Sequence, residues 1–168
     1  IQASKTLEQV EILSNQIDTL QKEIALLNSA FPTSKDWNNK FEDVTSESFS
    51  KNVDMQLSRA FAVLKPVLNI MKNQKYGSVV HISSIYGVVG NDFNIYKGSN
   101  ITPGVAYSAI KGGIINFSRY LASYFGKDNV RSNCISPGGV FDNQDKIFVK
   151  HYNEKEIGRA SCRERVST

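Results

Sequence analysis

Leu7, Val10, Leu13, Ile17, Leu20 and Ile24 recur every three or four positions, the period of a helix with one buried face. The pattern then changes, and Ala25-Leu26-Leu27-Asn28 predicts a short buried strand ending at Asn28. From Ser29 to Thr45 the residues Pro32, Ser34, Asp36, Asn38 and Asn39 break both periods and predict a loop, with Thr45 as the N-cap of a second helix. Phe49, Val53, Leu57, Phe61, Leu64, Leu68 and Met71 line one face of that helix, which reaches about Lys72 and in which Pro66 predicts a kink or a local break. Tyr76-Gly77 turns the chain into the β-rich run Ser78-Val79-Val80-His81-Ile82. A polar connection from Ser83 to Pro103 leads to a helix from about Val105 to Phe125, closed by Gly126. Val130 to Ile135 predicts a further strand, ending at Ser136-Pro137-Gly138-Gly139. Helices alternating with strands predict an α/β fold, a parallel sheet covered by helices.

Composition narrows this picture. The 168 residues, 40% of them hydrophobic, suffice for one ordinary domain. Cys134 and Cys162, with His81 and His151, make neither a disulfide framework nor a zinc-ligand spacing, so the expectation is a reduced, cytoplasmic protein with no metal. No window approaches eighteen apolar residues and no signal-peptide pattern opens the chain, which predicts no membrane association. The net charge of +4 is scattered among acids, so no nucleic-acid partner is expected. His81 alternates with apolar neighbours on a strand and reads as structural, Cys134 reads as core, and Trp37 is open between ligand contact and packing. Residues 156–166 resemble the in-frame translation of a common sequencing adapter, so residues 1–155 are read as authentic and 156–168 as a non-native tail.

Tyr107 and Lys111 stand four apart on a predicted helix and share a face. A free tyrosine ionises at about pH 10, and a fixed ammonium roughly 5 Å away, at an effective dielectric of about 20, favours the phenolate by about 3 kcal/mol. That suits a general acid-base catalyst near neutrality. Alone, the pair reads equally as an exposed helical contact contributing a few tenths of a kcal/mol. Its context is more informative. Before it, the strand Val79–Ile82 delivers Ser83-Ser84 at its carboxyl end, where open α/β sheets place ligands. After it, twenty-six residues beyond Lys111, the next strand ends in Pro137-Gly138-Gly139-Val140.

In this combination the sequence resembles the short-chain dehydrogenase/reductase family, from about Leu26 to Val149. The resemblance implies a doubly wound, Rossmann-like parallel sheet and NAD or NADP as cofactor. It implies that Ser84 polarises a substrate carbonyl, Tyr107 exchanges the proton, and Lys111 supports Tyr107 and holds the nicotinamide ribose. Pro137, Gly138 and Val140 would bring backbone against the nicotinamide, and Asn28 would lie near the adenosine side. The substrate would be a small carbonyl or alcohol, and the nearest likeness is to enzymes acting on sugar derivatives in flagellin modification or surface-sugar synthesis. A homodimer or homotetramer would form through the helices carrying Leu57 to Leu68 and Tyr107 to Tyr124.

Several positions depart from the family pattern. Asn28-Ser29-Ala30-Phe31 stands where the family has Asn-Asn-Ala-Gly, Gln56 falls on its helix asparagine with Asn52 a turn earlier, and Asp142 falls on its threonine after Pro-Gly. The interval from Ser84 to Tyr107 is longer than the family's, and this inserted segment around Asn91 to Asn100 should shape substrate choice. No glycine-rich strand-turn-helix for the pyrophosphate occurs, so the chain is expected to be the carboxyl-terminal part of a fold lacking its first βα units. Alone, it should bind dinucleotide poorly. The alternatives are a catalytically silent Rossmann-like binding or regulatory protein, or a sugar-nucleotide dehydratase or epimerase with the same tyrosine and lysine chemistry.

Overall fold

The computed structural model describes residues 25–155; the helix read from Leu7 to Ile24 and the tail 156–168 lie outside them. The three predicted strands form β1 (Ala25–Asn28), β2 (Gly77–Ile82) and β3 (Val130–Ile135). They pair in parallel in the order β1-β2-β3, with His81 between Asn28 and Cys134. Parallel neighbours require long crossovers. The first crossover contains α1 (Ser46–Val53) and α2 (Arg59–Gln74); the second contains α3 (Tyr107–Phe125).

Thr45 caps α1, its hydroxyl accepting from the Ser48 N–H at 3.1 Å. The expected break at Pro66 does not occur, and α2 runs through that residue. Pro66 and Ala62 are both exposed, so water can hydrate the carbonyl that the missing N–H leaves without a helical donor. The irregularity lies earlier, as one π-helical turn at Asp54–Ser58 between α1 and α2. It carries Gln56, while Asn52 precedes it on α1, and both side chains are buried. α3 begins two residues later than expected, because Val105 and Ala106 form the turn that leads into it.

α2 and α3 pack on one face of the sheet through Leu64, Leu68, Met71, Val79, Leu121 and Val130. Each such side chain contributes about 1.5–3 kcal/mol when fully buried. Ser118 of α3 and Ser132 of β3 share a buried hydrogen bond at 3.0 Å on the same face. A second cluster joins Ala106, Ile110 and Ile114 to Trp37, Phe49, Val53 and Leu57, and so fixes α3 against α1 and the loop after β1. His81 is wholly buried against Phe117, and burial pushes its imidazole below the ordinary histidine range. No helix among the described residues is long and apolar enough to cross a membrane.

The sequence pattern predicts no element after β3, yet Lys146–Lys155 forms α4. Asp145 opens it by accepting from the Ile147 and Phe148 N–H groups at 2.8 and 3.3 Å. α4 packs on the short 3-10 turn Phe93–Tyr96 of the inserted segment. Tyr96 stacks on Phe148, Phe148 meets Tyr152, and Lys155 pairs with Asp92 at 3.2 Å.

Candidate active site

The carboxyl ends of β2 and β3 are tied just beyond the strands. Ser83 N–H donates to the Ile135 carbonyl at 2.8 Å, and Ile85 N–H donates to the Pro137 carbonyl at 3.0 Å. Ser83 also donates its hydroxyl to the Lys111 carbonyl on α3 at 2.8 Å, so it is committed to structure. Its neighbour Ser84, 6% exposed, faces a cleft of about 500 Å³, with its Oγ accepting from Tyr86 N–H at 3.2 Å.

The same cleft is lined by Tyr107 and Lys111 from α3, by Pro137, Gly138 and Val140 beyond β3, and by Phe148 and Tyr152 of α4. Six of the seven residues singled out by the resemblance therefore meet in one place. The seventh, Asn28, turns its amide toward His81 (Nδ2 to Nδ1, 3.5 Å) and is not among the lining residues; Ser29 and Phe31 are.

Backbone contact holds the pieces together. The 3-10 turn Ile85–Gly87 lies directly on α3, where a Cβ at Gly87 would sit 2.7 Å from the Lys111 carbonyl carbon and 2.9 Å from Gly112 N. Gly112 and Gly113 keep the facing side of α3 free of bulk, toward Gly87 O and Leu57 respectively. Only glycine allows the turn carrying Ser84 to approach the helix carrying Tyr107 and Lys111 this closely.

Lys111 is 6% exposed, and its ammonium donates to the Ile82 carbonyl at 3.0 Å. It lies 5.6 Å from the centre of the Tyr107 ring and forms no ion pair with a carboxylate among the described residues. Burial consequently lowers its pKa below the usual lysine range. Gly138 and Gly139 expose backbone at the cleft wall, and Gly139 N–H donates to the Tyr152 hydroxyl at 2.6 Å. Gln144 closes the next turn, accepting from Asp142 N–H at 2.8 Å and donating to the Val140 carbonyl at 2.7 Å. A buried cation, bare backbone and a phenol at the carboxyl ends of parallel strands suit the nicotinamide end of a dinucleotide.

Sequence reasoning passed over Gln144, Phe148 and Tyr152; Asp145 followed by Phe148, Val149 and Tyr152 at helical spacing was the available signal. Trp37 packs edge-on to Phe31 and Tyr107 at 5.4 and 6.1 Å between ring centres. A second cavity, of about 660 Å³, adjoins at Ser108, the residue after Tyr107. The inserted segment lines part of it through Asn91, Tyr96 and Lys97, the connection from Ile101 to Val105 lines more, and Lys40 also borders it. Asn91 accepts from the Ser108 hydroxyl there at 2.9 Å. No group of three or more His, Cys, Asp or Glu side chains gathers to hold a metal ion among the described residues.

Comparison with known proteins matches residues 2–161 to the family model described as Enoyl-(Acyl carrier protein) reductase. The post-translational flagellin modification protein A of Campylobacter coli is 30% identical over 129 residues, 76% of this chain and 50% of that protein. A short-chain dehydrogenase of Leptospira borgpetersenii, solved with bound NAD+, superposes with a TM-score of 0.66 at 30% identity, covering 90% of this chain and 56% of the other. An NAD+-bound xylitol dehydrogenase superposes with a TM-score of 0.60 at 27% identity, covering 80% and 47%. The chain spans about half the length of the relatives it matches.

Proposed function

Because the chain belongs to the short-chain dehydrogenase/reductase family, we propose that the protein containing it is an NAD(P)-dependent oxidoreductase interconverting a carbonyl compound and a secondary alcohol. The observation that carries this reading is the meeting of Ser84, Tyr107 and Lys111 in one cleft with the Pro137–Val140 backbone. When bound, the nicotinamide supplies or accepts the hydride.

The chain's own residues do the rest. Ser84 Oγ donates to the substrate oxygen and orients it. Tyr107 Oη gives that oxygen a proton in reduction and takes it back in oxidation. Lys111, held by the Ile82 carbonyl, keeps a positive charge beside the phenol, where it supports the developing phenolate and binds the ribose hydroxyls. Backbone at Pro137, Gly138 and Val140 seats the nicotinamide, and Asn28 contacts the cofactor toward its adenosine side.

The substrate we favour is a hydroxylated, sugar-like molecule whose distal part enters the second cavity. Asn91, Ser108, Lys40 and Lys97 provide polar groups there against a wall of Phe41, Phe93 and Ile101. A homodimer or homotetramer accords with the exposed Phe61 and Ile70 on α2 and Tyr120 and Tyr124 on α3. The test is NAD(P)H absorbance in the full-length protein offered keto sugars and other small carbonyl compounds. Substrate-dependent oxidation supports the reading. Tight cofactor binding with no redox change in the cofactor across the panel favours a silent binding protein, and conversion of a sugar nucleotide without net cofactor oxidation favours a dehydratase or epimerase.

A further inference from the structure

Two departures from the family pattern, at Phe31 and at Gln56, come together in the loop after β1. Phe31 sits in the cleft with its ring toward Lys111, the ammonium lying 5.3 Å from the ring centre. The same ring is edge-on to Tyr107 at 5.6 Å and to Trp37 at 5.4 Å.

The backbone on either side of this contact is fixed. Gln56 Nε2 donates to the Pro32 carbonyl at 2.9 Å. Asn52 accepts from Ser34 N–H at 3.0 Å and donates to Ser34 Oγ at 2.8 Å. Trp37, packed against Phe31, lies over Gly104 of the connection leading to α3, where a Cβ would run into the indole. The Gly104 carbonyl in turn accepts the Tyr107 N–H at 3.0 Å.

Lys111 needs such a partner. Among the described residues, the groups around its ammonium are the Ile82 carbonyl of β2, the Tyr107 ring on its own helix, the half-buried Cys134 thiol of β3 and the Phe31 ring. None is a carboxylate, and one carbonyl is little compensation for a cation removed from water. An aromatic face attracts a cation through its quadrupole, and here the cation side of the contact is buried while Phe31 itself is 46% exposed.

We propose that Phe31 is a positioning residue for the reaction, its ring face holding the Lys111 ammonium charged and aimed beside Tyr107. The inference rests on the functional reading above for its consequence in catalysis, but its physical content concerns Lys111 alone.

The test uses the full-length protein with Phe31→Leu, which keeps an apolar side chain but removes the ring face, and Phe31→Tyr, which keeps the face. The Cε resonance of Lys111 in isotope-labelled, ligand-free protein reports its titration by NMR, with Lys111→Met giving the assignment. The Leu variant is expected to titrate lower by roughly one pH unit, while the Tyr variant stays with the wild type. The ammonium is the working form, so activity disappears as pH rises through this midpoint, and the alkaline limb of kcat/KM should move down by the same amount in the Leu variant. A Leu variant titrating like the wild type, or a Tyr variant shifting as far as Leu, would overturn the proposal. Absence of NAD(P)H turnover in the wild type would defeat the functional reading instead, and the NMR titration would still decide the role of Phe31.

Discussion

Lys111→Met in the full-length protein is expected to lower kcat/KM by about 10²–10⁴-fold and to raise the melting temperature at the same time. The two effects have one cause. Lys111 is 6% exposed and its ammonium is held by a carbonyl and two aromatic rings, with no carboxylate paired to it among the described residues. A charge so placed costs stability, and an unbranched apolar side chain of similar length removes the cost while filling the space. Catalysis loses what stability gains. Without the charge, nothing beside Tyr107 supports the developing phenolate, and the ribose loses its cationic donor, so cofactor affinity should fall as well. Steady-state kinetics, calorimetry with NAD(H) and NADP(H), and a thermal melt on one preparation test all three signs. Unchanged kinetics with a raised melting temperature would make Lys111 a structural lysine.

Gly87→Ala is expected to be nearly as damaging, although Gly87 touches no substrate. Its new methyl would lie 2.7 Å from the Lys111 carbonyl carbon, 2.8 Å from the Lys111 oxygen and 2.9 Å from Gly112 N. These are backbone atoms in the middle of a helix and cannot yield as a side-chain tip can. The turn Ile85–Gly87 must lift off α3, and Ser84, which opens that turn, must move with it. Overpacking of this kind costs about 1–3 kcal/mol of stability. A displacement of about 1 Å between Ser84 and the Tyr107–Lys111 pair costs about 10²-fold in rate. Denaturant melts and kcat together check the account, and an alanine variant with wild-type kcat would show that the approach of turn to helix does not set the geometry.

Much of this arrangement was legible in the sequence because it depends on local pattern. β1, β2 and β3 follow from short runs that break the helical period and end at turn residues, and the four-residue spacing of Tyr107 and Lys111 places both on one side of α3 whatever surrounds it. Features that depend on tertiary contact were not legible. Pro66 is harmless because its side of α2 faces water, and the π-helical turn at Asp54–Ser58 carries no sequence mark of its own. The same holds for Phe31, which counts in sequence as a lost glycine. Its ring acquires meaning only when Gln56 and Asn52 hold the backbone of its loop, and Trp37 packs on it, so that it meets Lys111. α4 was missed because its apolar residues serve the inserted segment rather than the main core.

The central claim is that the Tyr107 hydroxyl moves the proton in a hydride-transfer reaction, and Tyr107→Phe in the full-length protein tests it most directly. The substitution removes one oxygen and leaves the ring against Phe31, Trp37 and Tyr86. Cofactor affinity by calorimetry should stay within a few fold of wild type, while kcat should fall by about 10²–10⁴-fold. Retained turnover with retained cofactor binding would contradict the account.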